Sequence, residues 1–139
     1  MKKKLIVANW KMNLDFSQMK KLAVSISKEK FKNKIVLAPS NLYITSVKKY
    51  CENNNYIEIS AQNINDNSSG AFTGEISAQM LNSVDVNYSI IGHSERRLHF
   101  NEDSNILSKK IIQCLGNNIS PIFCVGENEI ERKNKKHFE

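Results

Sequence analysis

The feature that most constrains this chain is a regular alternation of short apolar runs with longer amphipathic ones. Five short runs are almost continuously apolar and carry Val and Ile, which is typical of parallel strands covered on both faces. They are Leu5–Ala8, Ile35–Ala38, Ile57–Ala61, Tyr88–Ile91 and Ile122–Val125. Most of them start about 25–35 residues apart, the length of a βαβ unit. The pattern predicts an α/β fold with a mainly parallel sheet in one domain, residues 1–139.

Helical patterns fill the intervals between these runs. The first predicted helix follows Ser17, interpreted as its N-cap, and others cover Leu42–Tyr50 and Ser77–Asn82. The last predicted helix places Gly116 just beyond its end, at the C′ position. Its apolar face is predicted to consist of Ile106, Leu107, Ile111 and Leu115.

Alternation alone does not separate a closed barrel from an open doubly wound sheet. The chain has 139 residues, whereas an eight-stranded barrel typically needs about 250. No GxGxxG follows the first strand and no Walker A pattern occurs, which disfavours dinucleotide-binding and P-loop folds.

Charge and cysteine content limit the kinds of ligand and site that fit this chain. The net charge is +6, from 20 Lys+Arg against 14 Asp+Glu, which favours anionic ligands. The lysines are dispersed and not interleaved with aromatics, so we expect no nucleic-acid binding. Three cysteines without CxxC spacing predict neither a disulfide framework nor a zinc site and favour a reducing, cytoplasmic setting. The run Leu5–Ala8 is too short for a signal peptide or a membrane span.

Polar residues collect directly after the predicted strands. The carboxyl ends of parallel strands form one rim, where ligands bind in α/β proteins. A lysine, a histidine and carboxylates on one rim suit acid–base chemistry on a small anion. The rim residues are Asn9, Lys11, Gln62, Asn63, Gly92, His93, Ser94, Glu95, Cys124, Gly126 and Glu127.

Four segments, in this order, resemble triosephosphate isomerases. They are Asn9–Asn13 (NWKMN), Ser60–Asn63 (SAQN) together with Gly70–Ser77 (GAFTGEIS), Ile90–Arg97 (IIGHSERR) and Cys124–Glu127 (CVGE). One such segment could arise by chance, but all four at the family's spacing are a specific signal. The resemblance covers essentially the whole chain.

The resemblance implies a (β/α)8 barrel family and an isomerase of glycolysis and gluconeogenesis. Such enzymes interconvert dihydroxyacetone phosphate and glyceraldehyde 3-phosphate through an enediolate. Lys11 matches the lysine beside the substrate oxygen and phosphate, and His93 matches the histidine that polarises the carbonyl. The family's own histidine is a standard example of an imidazole kept neutral near a helix N-terminus. Asn9 matches a substrate-binding amide on the strand that carries Lys11.

The resemblance also implies supporting residues. Glu95 matches the carboxylate that pairs with the lysine, and Ser94 is expected to cap the same helical turn. Cys124 and Glu127 match rim residues that pack and support. The family's reaction needs neither a cofactor nor a metal.

A loop between the third and fourth strands resembles the family's dimer loop, whose tip enters the partner's active-site region. Its matching residues are Phe72, Thr73, Gly74 and Glu75. Phe72 lies between glycines, and a partner would cover it better than water does. The resemblance thus implies a homodimer in the full-length family.

These 139 residues match only the family's first five strands. The resemblance therefore implies an incomplete barrel with about five parallel strands and four to five helices. The catalytic glutamate, the mobile lid and the glycine-rich phosphate segments would lie outside it, so the isolated chain is expected to have little or no activity. The alternatives are an inactive fragment or a half-barrel interaction module that needs a complementary chain.

Overall fold

The structure, a computed structural model, describes residues 4–127 and 129–134. Five strands lie in this part of the chain, and the predicted runs locate all of them. Four begin and end within one residue of prediction. The strands are β1 (Leu5–Asn9), β2 (Lys34–Ala38), β3 (Ile57–Ala61), β4 (Tyr88–Ile91) and β5 (Ser120–Phe123).

Six α-helices occur in the same residues, and a 3₁₀ turn at Asn41–Tyr43 leads into the second. No helix in the described ranges is long and apolar enough to cross a bilayer. The helices are α1 (Phe16–Ser27), α2 (Ile44–Cys51), α3 (Ala78–Asn82), α4 (Ser94–His99), α5 (Ser104–Gly116) and α6 (Glu129–Lys133).

The strands form one parallel sheet in the order β1-β2-β3-β4-β5. Each of the first four strands pairs in parallel with the strand that follows it along the chain, from Leu5 opposite Lys34 to Ile91 opposite Phe123. Connections between parallel neighbours require crossovers, which the intervening helices supply. The result is half of a (β/α) barrel, which confirms the predicted fold class.

The core lies between the sheet and its helical layer. Ile35 and Leu37 of β2 are buried against Met19 and Ala23 of α1 and Val47 of α2. Because side chains alternate along a strand, the intervening residues of β2 face the other side of the sheet, which is the barrel interior. The helices thus cover one face, and every strand directs its carboxyl end to the same rim.

Helix α1 begins earlier than predicted. Its N-cap is Asp15, not Ser17: the Asp15 carboxylate accepts from the Gln18 backbone N–H at 2.8 Å, and the Gln18 side chain accepts from the Asp15 N–H at 3.0 Å. This reciprocal capping box satisfies two backbone donors that Ser17 would leave open. Ser17 was the sequence-based candidate because the apolar residues Leu22, Val24 and Ile26 follow it.

The end of α5 also differs from prediction. Gly116 lies inside the helix, and Asn118 takes the left-handed conformation (φ 58°) beyond it. Asn tolerates that region better than most residues, so a glycine is not required there. The predicted apolar face was partly wrong, because Leu115 is 63% exposed, whereas Leu107 and Cys114 are buried.

Strand β5 begins and ends two residues before its predicted bounds. Its Ser120 N–H donates to the Asn87 carbonyl at 2.8 Å, and pairing with β4 ends at Phe123. Pro121 lies within this strand, and proline is tolerated on an edge strand. In the described sheet β5 pairs only with β4.

Candidate active site

Polar residues that follow the first four strands surround a cavity of about 480 Å³ at the rim. Four predicted site residues line it together: Asn9 and Lys11 after β1, and His93 and Glu95 after β4. The loop after β3 closes one side through Gln62, Asn63 and Ile64, and the loop before α3 adds Gly74, Glu75 and Ile76. The fold therefore brings together residues that lie up to 86 positions apart in sequence.

Lys11 occupies an unusual backbone conformation. Its φ is +54°, in the left-handed region that costs a residue with a Cβ atom about 1–3 kcal/mol. The Asn9 Oδ1 accepts from the Lys11 N–H at 2.9 Å, and the Gln62 Nε2 donates to the Lys11 carbonyl at 2.8 Å. Side chains on two different strand ends thus hold both polar backbone groups of Lys11.

The Lys11 ammonium is paired with Glu95. Its Nζ lies 2.8 Å from the Glu95 Oε1, and both side chains are about half exposed. The hydrogen bond from Lys11 is the main reason that the pKa of Glu95 falls below its ordinary value. Because exposed ion pairs contribute little to stability, we interpret this pair as setting position.

His93 is the N-cap of α4. Its Nδ1 accepts a hydrogen bond from the Glu95 backbone N–H at 3.3 Å. An Nδ1 that accepts carries no proton, so the ring proton of the neutral imidazole belongs on Nε2. The Glu95 Oε2 lies 3.4 Å from Nδ1, a contact that becomes an ion pair only if His93 is protonated. In its neutral form, the ring therefore has Nε2–H as its donor.

The remaining predicted supporting residues lie outside the cavity lining. Ser94 is the first residue of α4 and does not cap it, because His93 already does. The Cys124 carbonyl accepts from the Arg97 Nη2 at 2.9 Å, and burial raises the pKa of the Cys124 thiol. Glu127 forms an ion pair with Arg132.

The predicted dimer loop contributes to two cavities. Gly74 and Glu75 line the rim cavity, and Phe72 and Glu75 line a second one of about 370 Å³ beside α3. The Phe72 ring is 44% exposed. Gly74 has a φ of +90°, which a residue with a side chain rarely adopts.

Two residues in the matching segments make contacts that sequence analysis did not predict. Gln62 was expected at the rim, but its hydrogen bonds to the carbonyls of Lys11 and Ala38, at the ends of two other strands, depend on the folded chain. Arg97 donates from Nε to the Gly92 carbonyl at 2.8 Å and from Nη2 to the Cys124 carbonyl, so it joins the ends of β4 and β5.

A buried ionic network behind the rim was missed altogether. The Glu102 Oε1 accepts from the Arg96 Nε and the Lys110 Nζ, each at 2.6 Å, and Lys110 also donates to the Asn63 Oδ1 at 2.7 Å. Burial alone would raise the pKa of Glu102, but the bonds from Lys110 and Arg96 outweigh it and lower that pKa. The available signal was Lys110 itself, which lies between Leu107 and Cys114 on the apolar face of α5.

Metal binding has no structural support in the described ranges. No group of three or more His, Cys, Asp or Glu side chains there could hold an ion. The three cysteines are free thiols.

Comparison with known proteins connects this geometry to one family. The family model for triosephosphate isomerase matches residues 4–139. The triosephosphate isomerase of Buchnera aphidicola subsp. Schizaphis graminum is 44% identical over 140 residues, covering 98% of this chain and 55% of that protein. The one from Orientia tsutsugamushi (strain Ikeda) is 41% identical and covers 97% of this chain and 55% of its own length. The one from Amoebophilus asiaticus is 39% identical and covers 99% and 56%. The chain thus spans about half the length of the curated relatives it matches.

Proposed function

The chain belongs to the triosephosphate isomerase family, and from this premise we propose that its rim is the electrophilic half of an isomerase site. In this proposal the substrate is a phosphorylated triose, and the reaction interconverts dihydroxyacetone phosphate and glyceraldehyde 3-phosphate. The observation that carries the proposal is the Lys11–Glu95 pair, joined across 84 positions at 2.8 Å, beside the N-cap His93.

The two donors act on the oxygen that gains charge. When a base removes a carbon-bound proton, the substrate carbonyl becomes an enediolate oxygen. His93 and Lys11 both line the rim cavity, and in this proposal the His93 Nε2–H and the Lys11 ammonium donate to the oxygen that develops the charge. Donors fixed before the reaction stabilise such charge without reorganising, and this stabilisation often contributes more to catalysis than any other single effect.

The tautomer of a neutral His93 ring follows from the backbone group that its Nδ1 contacts. The Glu95 N–H occupies Nδ1, so a neutral ring offers Nε2–H to the substrate. A neutral imidazole of this kind is the established behaviour of the family's histidine. Glu95 then has two tasks: its main chain selects the tautomer of His93, and its carboxylate holds the ammonium of Lys11.

The catalytic base belongs, in this proposal, to the half of the family's length that these 139 residues do not match. We expect residues 1–139 to act as one incomplete barrel domain and to turn over substrate little or not at all when alone. Asn9 is assigned to substrate binding. Ser94, Cys124 and Glu127 are assigned supporting roles.

The assembly and setting of the complete protein are also proposals. Phe72, Thr73, Gly74 and Glu75 are assigned to a homodimer contact, supported by the exposed Phe72 ring. Three free cysteines support a cytoplasmic setting, where thiols stay reduced. Glycolysis and gluconeogenesis are the pathways that this reaction serves. No cofactor is required.

The second candidate function is a half-barrel module that works with a complementary chain. The observation that favours it is the open sheet, in which β1 and β5 are edges. Edge strands present unpaired backbone groups that other chains can pair with. Under this alternative the complementary chain supplies the base, and the roles of Lys11 and His93 are unchanged.

A chimera tests the proposed function. Residues 1–139 are joined to the remaining part of the Buchnera aphidicola relative, and isomerisation is assayed in both directions. We expect turnover by the chimera and almost none by residues 1–139 alone. Lys11→Met in the chimera should lower kcat/KM by roughly 100–1,000-fold, because it removes one donor to the developing charge.

The matched control is Lys21→Met, which removes an exposed lysine from α1 and should change kcat/KM little. A folded chimera without isomerase activity would contradict the proposed function. Full activity in Lys11→Met would contradict the role of that lysine. Mixing separately purified halves distinguishes the module alternative, because only that alternative requires recovery of activity without a covalent link.

A further inference from the structure

We propose that Gln62 is a positioning residue that holds Lys11 in its left-handed conformation and thereby fixes the ammonium beside Glu95. The inference rests on the proposed function for its catalytic consequence. Its structural part stands on hydrogen bonds alone.

The Lys11 side chain cannot hold its own position. A lysine has four rotatable side-chain bonds, and half of this side chain is in solvent. An exposed ion pair is weak, so the bond to Glu95 does not by itself keep the backbone at a φ of +54°. The conformation therefore depends on what holds the main chain of Lys11.

The amide of Gln62 provides that support. One nitrogen, Nε2, donates to the Lys11 carbonyl at 2.8 Å and to the Ala38 carbonyl at 2.9 Å. An NH₂ group has two hydrogens, so both bonds can form at once. Gln62 directly follows β3, Ala38 ends β2 and Lys11 follows β1, so one side chain joins three consecutive strand ends.

The other local contacts complete the arrangement. The Ala38 carbonyl also accepts from the Trp10 N–H at 3.0 Å, and the Lys11 N–H is held by Asn9. The peptide group before Lys11 is therefore held by Asn9, which ends β1, and the peptide group after it is held by Gln62, which directly follows β3. Without the Gln62 amide, the Lys11 carbonyl would lose this hydrogen-bond donor. The left-handed φ of Lys11 would then lose the support that the bond provides.

The position of the Lys11 ammonium should affect both the rate of the proposed reaction and substrate binding. A displacement of about 1 Å in a positioned group can cost about 100-fold in rate. The Lys11 ammonium would face both the reacting oxygen and the phosphate, so misplacing it should weaken substrate binding as well as turnover. Loss of folded protein would lower apparent kcat alone and leave KM unchanged, which separates positioning from general stability.

The test uses Gln62→Met, which keeps the length of the side chain and removes both donors. In the chimera described above, kcat/KM should fall by roughly 10–100-fold and KM should rise. Gln113→Met is the matched control, because Gln113 is half-buried on α5 and lies away from the rim; it should leave both constants near those of the parent. Gln62→Asn, which withdraws the amide by one methylene, should change both constants in the same direction as Gln62→Met.

A second measurement does not depend on activity. In the isotope-labelled 139-residue chain, NMR scalar couplings and backbone shifts report the φ of Lys11. We expect Gln62→Met to move Lys11 out of the left-handed region while circular dichroism stays unchanged, and Gln113→Met to leave that φ unchanged.

The two proposals fail in distinguishable ways. An inactive parent chimera, with the φ of Lys11 still dependent on Gln62, would overturn the proposed function and leave the positioning inference in place. An active parent with normal kcat/KM and KM in Gln62→Met would overturn the inference and leave the function. A positive φ that persists in Gln62→Met would also overturn the inference.

Discussion

At the scale of single residues, Gly92 shows how closely the rim is packed. Its φ is +71°, and a Cβ atom there would lie 2.9 Å from the Arg97 Nη2 and 3.2 Å from the Leu107 Cδ1. Arg97 cannot simply swing away, because hydrogen bonds to the Gly92 and Cys124 carbonyls hold it. Leu107 is buried in the core. Conformation and space therefore both require glycine at position 92.

We predict that Gly92→Ala lowers the free energy of unfolding by roughly 2–4 kcal/mol, from left-handed strain together with overpacking. Urea unfolding followed by circular dichroism measures the change. Gly116→Ala is the control, because a Cβ there meets no atom within 4 Å. It should stabilise the helical chain by up to about 1 kcal/mol. A Gly92→Ala variant as stable as the parent would contradict this account of the packing.

The residues that line the rim could be predicted from the sequence, whereas the contacts that hold them could not. Asn9, Lys11, His93 and Glu95 follow predicted strands, so their shared cavity follows from parallel topology. Gln62 contacts a carbonyl 51 positions away, and no local pattern encodes that distance. The cap of α4 was misassigned because serine is the commoner cap, whereas here the imidazole of His93 takes that role.

At the scale of elements, the buried network ties α5 to the rest of the rim. Lys110 joins α5 to Glu102, in the loop after α4, and to Asn63, in the loop after β3. Glu102 in turn holds Arg96 of α4. The side chains of Lys110 and Glu102 are each only 4% exposed, so the network is sheltered from water. It orients α4, the helix that His93 caps.

We predict that Lys110→Met lowers the free energy of unfolding by roughly 3 kcal/mol, because it removes one partner from a buried ion pair. Lys109→Met is the matched control, because Lys109 directly precedes Lys110 in the helix. Its side chain is 66% exposed, and its Nζ lies 3.9 Å from the Asp66 Oδ2. That change should cost no more than about 1 kcal/mol. Chemical unfolding of both variants at neutral pH gives the comparison, and equal losses would contradict the importance of the buried network.

Element positions were easier to predict than element ends. The strand runs were located because buried parallel strands are continuously apolar. Helix starts depend on side-chain hydrogen bonds, such as the one that makes Asp15 the cap of α1, and these compete among several plausible residues. The face of α5 was partly misassigned because Lys110 turns inward, where its charge is paired, and Leu115 turns outward.

At the scale of the whole molecule, the described sheet is open at both edges. Its edges, β1 and β5, carry or adjoin exposed apolar side chains, including Leu5 (45% exposed), Ile6 (48%) and Phe123 (45%). A closed barrel removes such edges by pairing its last strand with its first. The described residues leave both edges available to other chains.

We predict that the purified 139-residue chain self-associates in a concentration-dependent way. Sedimentation velocity over a range of concentrations should show larger species as concentration rises. Ile6→Lys should reduce the association, because a charge on an edge strand opposes edge-to-edge pairing. Leu98→Lys alters a more accessible apolar residue, 74% exposed on α4, and should have little effect. Association that is insensitive to Ile6→Lys would show that the edges are not responsible.

The order of the sheet has a consequence for biosynthesis. Each strand from β2 to β5 pairs with the strand made just before it, and successive strands begin roughly 30 residues apart. At translation rates of roughly 5–20 residues per second, a ribosome would release a new strand every few seconds. The strand with which it pairs would already have emerged. The nascent protein can therefore assemble in the direction of its synthesis, unit by unit, because β2 to β5 each find their preceding partner already translated.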